Sequence, residues 1–237
     1  MKSATVNNNR LTLAAMGFAA GALCLPLAGQ AEVSGGMNIA SMYLWRGQDV
    51  SNAAPAVSGN LDYNHESGIY AGTWASSEGA SGSYEWDLYA GYNGKAGDFG
   101  YTVAYNLYMY PETQSDTDGD GFVDTNDGLA DSDVSEILVG VTWTDLAAKL
   151  YLSTENDYKY LSLDYTMDKL GFHVGLTSGV DDNGDALSDA DYTDLNVSYG
   201  FAENATVTVS LATGNAVTND AVEGDPMVVF AYNVPLK

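Results

Sequence analysis

The segment DTDGDGFVDTND, residues 116–127, combines residue types and a spacing that could bind a metal ion, because it holds five aspartates and two glycines. Aligned with the calcium loop of an EF-hand, it places Gly121 at the turn position and oxygen donors at the ligand positions. Those donors are the carboxylates of Asp116, Asp118, Asp120, Asp124 and Asp127 and the backbone carbonyl of Phe122. A hard cation suits such a set, so the spacing predicts a calcium site.

The last position of this loop departs from the EF-hand pattern, since Asp127 stands where a bidentate glutamate is usual. In that respect the segment resembles the calcium loops of dockerins and thrombospondin type 3 repeats, and the shorter side chain predicts weaker binding. The alternative is a solvated acidic loop that holds no ion. A second acidic stretch, 180–194, repeats part of the spacing, but Ala186 replaces the turn glycine and weakens the case for calcium there.

The first 31 residues have the features of a secretory signal peptide. Lys2 and Arg10 precede an apolar stretch that ends in small residues, and cleavage is predicted after Ala31. The alternative is an amphipathic first helix of the mature fold. Cleavage would remove Cys24, the single cysteine, so a mature chain of residues 32–237 would have to be held by core burial, a metal or membrane insertion.

The charge balance excludes one class of partner. Asp and Glu number 32 against 8 Lys and Arg, two of which lie in the predicted signal peptide. Such an acidic excess argues against nucleic acid as a partner and favours cations.

Beyond residue 31 the sequence alternates with period two, which is typical of strands, and no apolar run approaches the ~20 residues of a membrane-spanning helix. We predict twelve strands, most of them close to the length that crosses a bilayer at a tilt. They cover residues 35–46, 55–63, 68–77, 83–93, 98–110, 134–144, 146–154, 159–168, 170–178, 192–200, 204–213 and 226–236. The predicted fold is all-β: a closed antiparallel transmembrane β-barrel.

The connections between these strands alternate in length. Every second connection is short, and the three longest, 111–133, 179–191 and 214–225, share the other parity. Bacterial outer-membrane barrels have short periplasmic turns and long external loops. The pattern therefore predicts that the chain lies in the bacterial outer membrane with these three loops outside.

The alternation also predicts which side chains face the lumen. The predicted pore-lining residues are Arg46, Asp62, Glu85, Asp87, Glu136, Lys149, Asp164 and Asp194, together with His173. Their acidic majority predicts a preference for cations if the barrel conducts. The alternative is an internal network of paired charges that fills the barrel. Aromatic residues near strand ends are predicted to form interfacial girdles: Tyr43, Trp45, Trp74, Tyr84, Tyr92, Tyr110, Trp143, Tyr199 and Tyr232.

Residues 37–77 carry three motifs: Tyr43, Trp45, Arg46 and Gly47; then Pro55, Ala56 and Gly59; then Ser67, Gly68, Tyr70, Gly72 and Trp74. In these positions the sequence resembles the TorF family of outer-membrane porins, and the similarity continues less sharply over most of the mature chain. The resemblance implies a small antiparallel outer-membrane barrel with a transport role. Two features depart from it: the acidic loop 116–127, and a C-terminus that ends in Lys237 where such barrels usually finish with an aromatic residue.

No enzymatic activity is predicted. The sequence has two histidines, His65 and His173, and neither stands beside a recognisable nucleophile motif. The sequence instead predicts an outer-membrane porin for small solutes or ions, surrounded by lipid and lipopolysaccharide, with a calcium-binding external loop. The alternatives are a non-conducting surface barrel used for calcium-dependent adhesion or assembly, and a soluble secreted calcium-binding sandwich.

Overall fold

A computed structural model describes residues 32–78, 83–110, 134–179, 191–218 and 224–236, and it confirms the predicted barrel. Twelve antiparallel strands close on themselves, since the first pairs with both its successor in the wall and the last strand. Closure leaves no unpaired sheet edge, which is what a lipid environment requires of strands. Within the described ranges, no helix is long and apolar enough to cross a membrane.

The wall strands are β1 (Glu32–Ala40), β4 (Ala56–Asn64), β5 (Ile69–Glu78), β6 (Ser83–Ala96), β7 (Phe99–Met109), β8 (Val134–Trp143), β9 (Leu146–Ser153), β10 (Lys159–Met167), β11 (Leu170–Ser178), β12 (Tyr192–Ala202), β13 (Ala205–Gly214) and β14 (Met227–Leu236). Two further strands, β2 (Leu44–Trp45) and β3 (Gln48–Asp49), are not part of the wall and, in the part of the chain described, pair only with each other. One short helix, α1 (Asn215–Thr218), follows β13. Wall strands other than the first therefore begin and end within about three residues of their predicted bounds.

One end of the barrel carries the tight turns and the other the long connections. The β8–β9 and β10–β11 turns contain two residues each, and they begin with Thr144 and Asp168 at positive φ. Glu32, at the start of β1, pairs with Asn64 at the same end. The ranges 111–133 and 180–190 lie outside the described residues, and the strand ends that flank them, on β7, β8, β11 and β12, lie at the opposite end of the barrel. We call the long-connection end of the lumen its outer half and the tight-turn end its inner half.

The outward faces of the strands form an apolar belt. On β6, exposed Tyr84, Trp86 and Leu88 alternate with Glu85 and Asp87, which are buried in the interior. The same alternation recurs around the barrel, and every wall strand carries at least one large apolar side chain that is exposed outside. A closed wall with an apolar exterior and a polar interior is the arrangement of a bacterial outer-membrane barrel.

The first predicted strand, 35–46, is wrong at its C-terminal end. β1 stops at Ala40, which pairs with Ala56, and residues 41–55 leave the wall and fold into the lumen. We call residues 41–55 the inner hairpin. At its tip β2 turns into β3 through Arg46 and Gly47, with φ angles of 46° and 76°. Positive φ at both central residues is the geometry of a tight hairpin turn, so the chain reverses where the alternation predicted a continuing strand.

The aromatic girdle is present, but it includes fewer of the predicted residues. Tyr84, Tyr92, Trp143, Tyr199 and Tyr232 are exposed on the outer face. Neighbouring rings stack near the tight turns, as Phe99 does on Trp143, with 6.2 Å between ring centroids. Two predicted members, Tyr43 and Trp45, belong to the inner hairpin because β1 ends at Ala40. Two others, Trp74 and Tyr110, contact interior residues because of the strand register.

Candidate functional site in the lumen

The tip of the inner hairpin is fitted closely to the barrel wall. Gly47 lies against β12 so tightly that a Cβ atom at this position would stand 2.4 Å from the Cβ atom of Asp194. Glycine also accepts the positive φ of the turn without strain. The Arg46–Gly47 pair therefore allows the hairpin to enter the lumen and to turn there.

Arg46 forms a two-pronged ion pair with the wall. Its Nη1 and Nη2 atoms donate to Oε1 and Oε2 of Glu136 on β8, at 2.8 and 2.7 Å. Tyr108 on β7 donates its hydroxyl to the same carboxylate at 2.7 Å. Arg46 and Glu136 are 4% and 2% exposed, so both charges are removed from water and each depends on the other for compensation.

Four aromatic rings surround the guanidinium of Arg46. Its Cζ atom lies 4.5 Å from the ring centroid of Trp45, its neighbour in the hairpin. The wall provides the other three: Tyr151 on β9 at 4.7 Å, Tyr158 in the β9–β10 connection at 5.4 Å, and Tyr160 on β10 at 4.5 Å. All four distances fall within the range of cation–π attraction. We call Glu136, Tyr108, Tyr151, Tyr158 and Tyr160 the arginine cage.

Further hydrogen bonds hold the hairpin on both sides of Arg46. Tyr43 donates its hydroxyl to Oε2 of Glu85 at 2.7 Å, and Tyr192 donates to the backbone carbonyl of Arg46 at 3.0 Å. Gln48 donates to the hydroxyl of Tyr192 at 2.7 Å. Burial, and after it the neighbouring Glu85, raises the pKa of Tyr43 well above its usual value, so this phenol remains a donor.

A second cluster of polar side chains lies on β10, β11 and β12. His173 holds its Nδ1 atom 2.6 Å from Oδ1 of Asp164 and its Nε2 atom 3.1 Å from Oδ1 of Asp194. Tyr160 approaches the same Nε2 atom at 2.8 Å and donates to Asp194 at 3.1 Å. Gly175 makes room for this cluster, since a Cβ atom there would stand 2.0 Å from Oδ2 of Asp194.

This cluster links the inner half of the lumen to the arginine cage through Tyr160. The hydroxyl in contact with His173 belongs to Tyr160, and Ser162 donates to Asp164 rather than to the imidazole. The contacts thus differ from those of a Ser–His–Asp hydrolase, in which the serine hydroxyl contacts the imidazole directly.

The structure places the predicted pore-lining residues inside the barrel, at two depths. All but one of them come from wall strands. Arg46 reaches the lumen from the hairpin tip rather than from a wall strand. Four of the others are buried in the outer half: Glu85, Asp87, Glu136 and Asp194. Asp164 is partly buried, in the cluster around His173. Asp62 and Lys149 are partly buried in the inner half, where Asp62 accepts hydrogen bonds from Tyr89 and Asn60.

The predicted calcium ligands, Asp116, Asp118, Asp120, Phe122, Asp124 and Asp127, lie outside the described residues, as does the predicted signal peptide. Both remain predictions. Among the residues that the structure does describe, no group of three or more histidine, cysteine or acidic side chains is arranged to hold a metal ion.

The sequence did not single out the tyrosines that dominate the outer half: Tyr108, Tyr151, Tyr158, Tyr160 and Tyr192. A signal for some of them was present. Tyr160 has the same strand parity as Ser162 and Asp164, and Tyr108 has the parity of Asn106, so alternation alone assigns both to the interior. Tyr158 lies in a connection, where alternation has no predictive value.

A family model described as "Bacterial protein of unknown function (Gcw_chp)" matches residues 27–225. The chain belongs to this family. No curated protein matches the sequence. The family that matches is described as Gcw_chp, and the description does not mention TorF.

Solved structures that resemble this barrel are similar to it only in outline. The KdgM porin has a TM-score of 0.48 and 11% identity, over 86% of this chain and 98% of that chain. Outer membrane phospholipase A from Escherichia coli has a TM-score of 0.43 and 9% identity, over 88% of this chain and 92% of that chain. An outer membrane channel from Pseudomonas putida F1 has a TM-score of 0.37 and 12% identity, over 89% and 97%.

Likeness of fold does not by itself decide what a barrel does. The architecture of the Gcw_chp chain follows from its own strand pairing, and its location in the bacterial outer membrane follows from its closed wall and apolar exterior.

Proposed function

We propose that this Gcw_chp barrel is an outer-membrane channel for small cationic solutes, narrowed in its outer half by the inner hairpin. The observation that supports it is the charge of the interior. Six carboxylates on the wall strands face the lumen, against two permanently basic side chains inside the barrel among the described residues, and one of these two, Arg46, is paired with Glu136. The remaining acidic groups give the path a negative potential that attracts cations and repels anions.

The resemblance of residues 37–77 to TorF porins agrees with this proposal. The inner half suits passage better than the outer half, since Asp62, Lys149, Asp164 and His173 are partly accessible there. Lipid contacts the apolar belt, and lipopolysaccharide would contact the outer connections.

The test is electrical recording of the purified full chain in planar lipid bilayers under a potassium chloride gradient. We expect discrete conductance steps and a reversal potential on the cation-selective side. Bilayers that receive detergent alone serve as the control. Silent bilayers despite insertion, or a reversal potential on the anion-selective side, would contradict the proposal.

A calcium site in the external loop is a second part of the proposed function. The donor set of residues 116–127 suits a hard cation, and in the sequence this segment lies between β7 and β8, the strands that carry Tyr108 and Glu136. Calcium bound there would order the loop at the mouth of the barrel.

Limited proteolysis of intact protein tests the calcium site. We expect calcium, but not an equal concentration of magnesium, to slow cleavage within 111–133, and we expect the D116N/D118N variant to lose this protection. Cleavage that proceeds at one rate with and without calcium would show that the loop is simply solvated.

One observation favours the other candidate function, a non-conducting surface barrel for calcium-dependent adhesion or assembly. The inner hairpin packs against the wall on several sides, and the charge of its Arg46 is paired with Glu136 and buried, which suits a permanent plug. Bilayer recording separates the two functions, because a permanent plug predicts no conductance at any voltage.

A further inference from the structure

The arginine cage has the composition of a binding site. A carboxylate that meets both Nη atoms of a guanidinium fixes the plane of the group, and ring faces around it supply cation–π attraction. Here the carboxylate is that of Glu136, and Tyr151 and Tyr160 place their rings within 4.7 Å of the Cζ atom. These features recognise a planar organic cation, whichever molecule carries it.

The members of the cage belong to the barrel, whereas the cation belongs to the hairpin. Glu136, Tyr108, Tyr151 and Tyr160 lie on adjacent wall strands, β7 to β10, and Tyr158 lies in the connection between the last two. Strand pairing on all of these strands is independent of residues 41–55. The cage therefore remains assembled if Arg46 leaves it.

The hairpin is attached in a way that allows it to leave. β1 and β4 pair directly from Ala40–Ala56 to Glu32–Asn64, so the wall stays closed without the hairpin. β2 and β3 pair through two residues each, and no wall strand pairs with either of them among the described residues. Ser41, at the base of the hairpin, donates a backbone hydrogen bond to the carbonyl of Phe230 on β14. Nearer the tip, each hydrogen bond to the wall involves a side chain, and these bonds can break without opening the barrel.

We propose that the arginine cage is a binding site for guanidinium-type cations on the solute path and that Arg46 is a tethered occupant of it. This inference rests on the proposed channel function, since it assigns a class of solute to the same lumen. A solute with a guanidinium group would compete with Arg46, take its place against Glu136, and release the hairpin from the outer half.

Because Arg46 is covalently attached to the hairpin, the attachment determines how much free cation is needed to displace it. A group held on a short flexible segment acts at an effective concentration on the order of millimolar. Free guanidinium must exceed that level to displace Arg46 in the natural protein. In a variant that lacks the Arg46 side chain, the same cation meets an empty cage and should bind at a concentration at least tenfold lower.

The experiment compares R46A with the natural protein in bilayer recordings with added guanidinium chloride at millimolar concentration. We expect guanidinium to block the potassium current of R46A at a concentration at least tenfold below that needed for the natural protein. Ammonium chloride, which lacks the planar fork, should block at least tenfold more weakly than guanidinium. The K95A variant serves as a matched control, because Lys95 is exposed near the tight-turn end and its loss also removes one positive charge.

The double variant R46A/E136Q tests the role of the carboxylate without leaving a buried charge unpaired. We expect it to lose guanidinium block at least tenfold relative to R46A. R46K, which keeps the charge but loses the planar fork, should show block intermediate between R46A and the natural protein, and it decides the question if R46A does not fold. Guanidinium block that is equal in the natural protein and in these variants, or that persists without Glu136, would overturn the proposal.

A second readout does not depend on conduction. Heat-induced unfolding, followed by the mobility shift of folded barrels on gels, should move to higher temperature when millimolar guanidinium is added to R46A, but not when it is added to R46A/E136Q. Stabilisation without any current would support the guanidinium-binding site but contradict the proposed channel function. Cation-selective current without block or stabilisation would keep the channel and refute the cage.

Discussion

The two halves of the lumen use the same alternating wall but contain different interiors. In the outer half, Arg46, Glu136 and Asp194 are 4%, 2% and 0% exposed, and aromatic rings surround the guanidinium of Arg46. In the inner half, Asp62 and Lys149 are partly exposed. Small polar residues lie on the inner wall as well, and Thr102, Ser198 and Thr208 are buried there; the rings of Tyr70 and Tyr89 lie over Gly91 and Gly72.

The difference arises from the inner hairpin, not from the wall pattern. Where the hairpin enters, water is excluded and each charge needs a specific partner, so electrostatic interactions there are strong and costly to break. Where it does not reach, water screens the charges, and they act on passing ions more than on stability. The outer half should therefore govern opening and folding energetics, and the inner half should govern ion preference.

The largest effect is expected from removal of the hairpin. Replacing residues 42–54 with a short glycine–serine turn between β1 and β4 should leave the barrel folded, because Ala40 and Ala56 already pair. We expect single-channel conductance to rise roughly threefold or more, since the obstruction in the outer half is gone. The mobility shift on heating serves as the control for folding. Conductance equal to that of the natural protein would show that the two halves do not differ in their resistance to flow.

The second prediction concerns the buried ion pair. E136Q leaves the Arg46 guanidinium without its counter-charge, and breaking a buried pair destabilises by about 3 kcal/mol. D164N, in the partly accessible cluster around His173, should reduce the free energy of unfolding by about 1 kcal/mol. Denaturant unfolding in detergent measures both. Equal losses in the two variants would remove the energetic distinction between the halves.

Much of this comparison could be predicted from the sequence. The strand bounds and the inward-facing acids follow from period-two alternation, because successive side chains of a strand point to opposite faces of the sheet. The alternation failed at Tyr43–Gly47. Trp45 continues the apolar pattern of β1, but Arg46 adopts a positive φ and the chain turns inward. The turn-rich run that follows, QDVSNAAP, was a signal that the wall had already ended.

The meeting of Arg46 with Glu136 could not be predicted. The two residues are 90 positions apart, and their contact depends on the depth to which the hairpin enters and on the stagger of β1 relative to β8. Alternation assigns a residue to a face of the wall but does not assign it a partner across the lumen. For the same reason, Tyr151 and Tyr160 could be placed inside the barrel without any indication that they surround a cation.

The third prediction concerns ion preference in the inner half. D62N should lower the permeability ratio of potassium to chloride by roughly twofold, because Asp62 is partly accessible and close to the path of hydrated ions. D98N, in the exposed β6–β7 turn, removes the same charge outside the lumen and should leave the ratio unchanged. Reversal potentials measure both. A larger change for D98N than for D62N would place the selective region outside the barrel.

The smallest effect is expected at the rim of the arginine cage, where Glu155 organises the connection that carries Tyr158. Burial alone would raise its pKa, but hydrogen bonds from Ser135, Thr154 and Ser153 outweigh it and lower the pKa of Glu155 to about 2. A lowered pKa means that this carboxylate stabilises the connection above its unfolded value, near pH 4, and that the contribution is lost as pH falls toward 2.

We therefore expect proteolysis of the 154–158 connection by an acid-active protease to accelerate between about pH 4 and pH 2. E155Q should be cleaved at a rate that is independent of pH over the same interval, after correction for the pH dependence of the protease on an unfolded substrate. An identical pH profile for E155Q and the natural protein would assign the change to another group.

The direct pairing of Ala40 with Ala56 makes residues 41–55 a side branch of the wall. A cylinder built in this way separates its assembly from its contents. Substitutions, insertions or grafted peptides in this branch can change what occupies the lumen while the wall strands keep their register. Members of the Gcw_chp family could thus diverge in what they admit through changes confined to one short stretch, and an engineer could reprogram the conduit there without redesigning the shell.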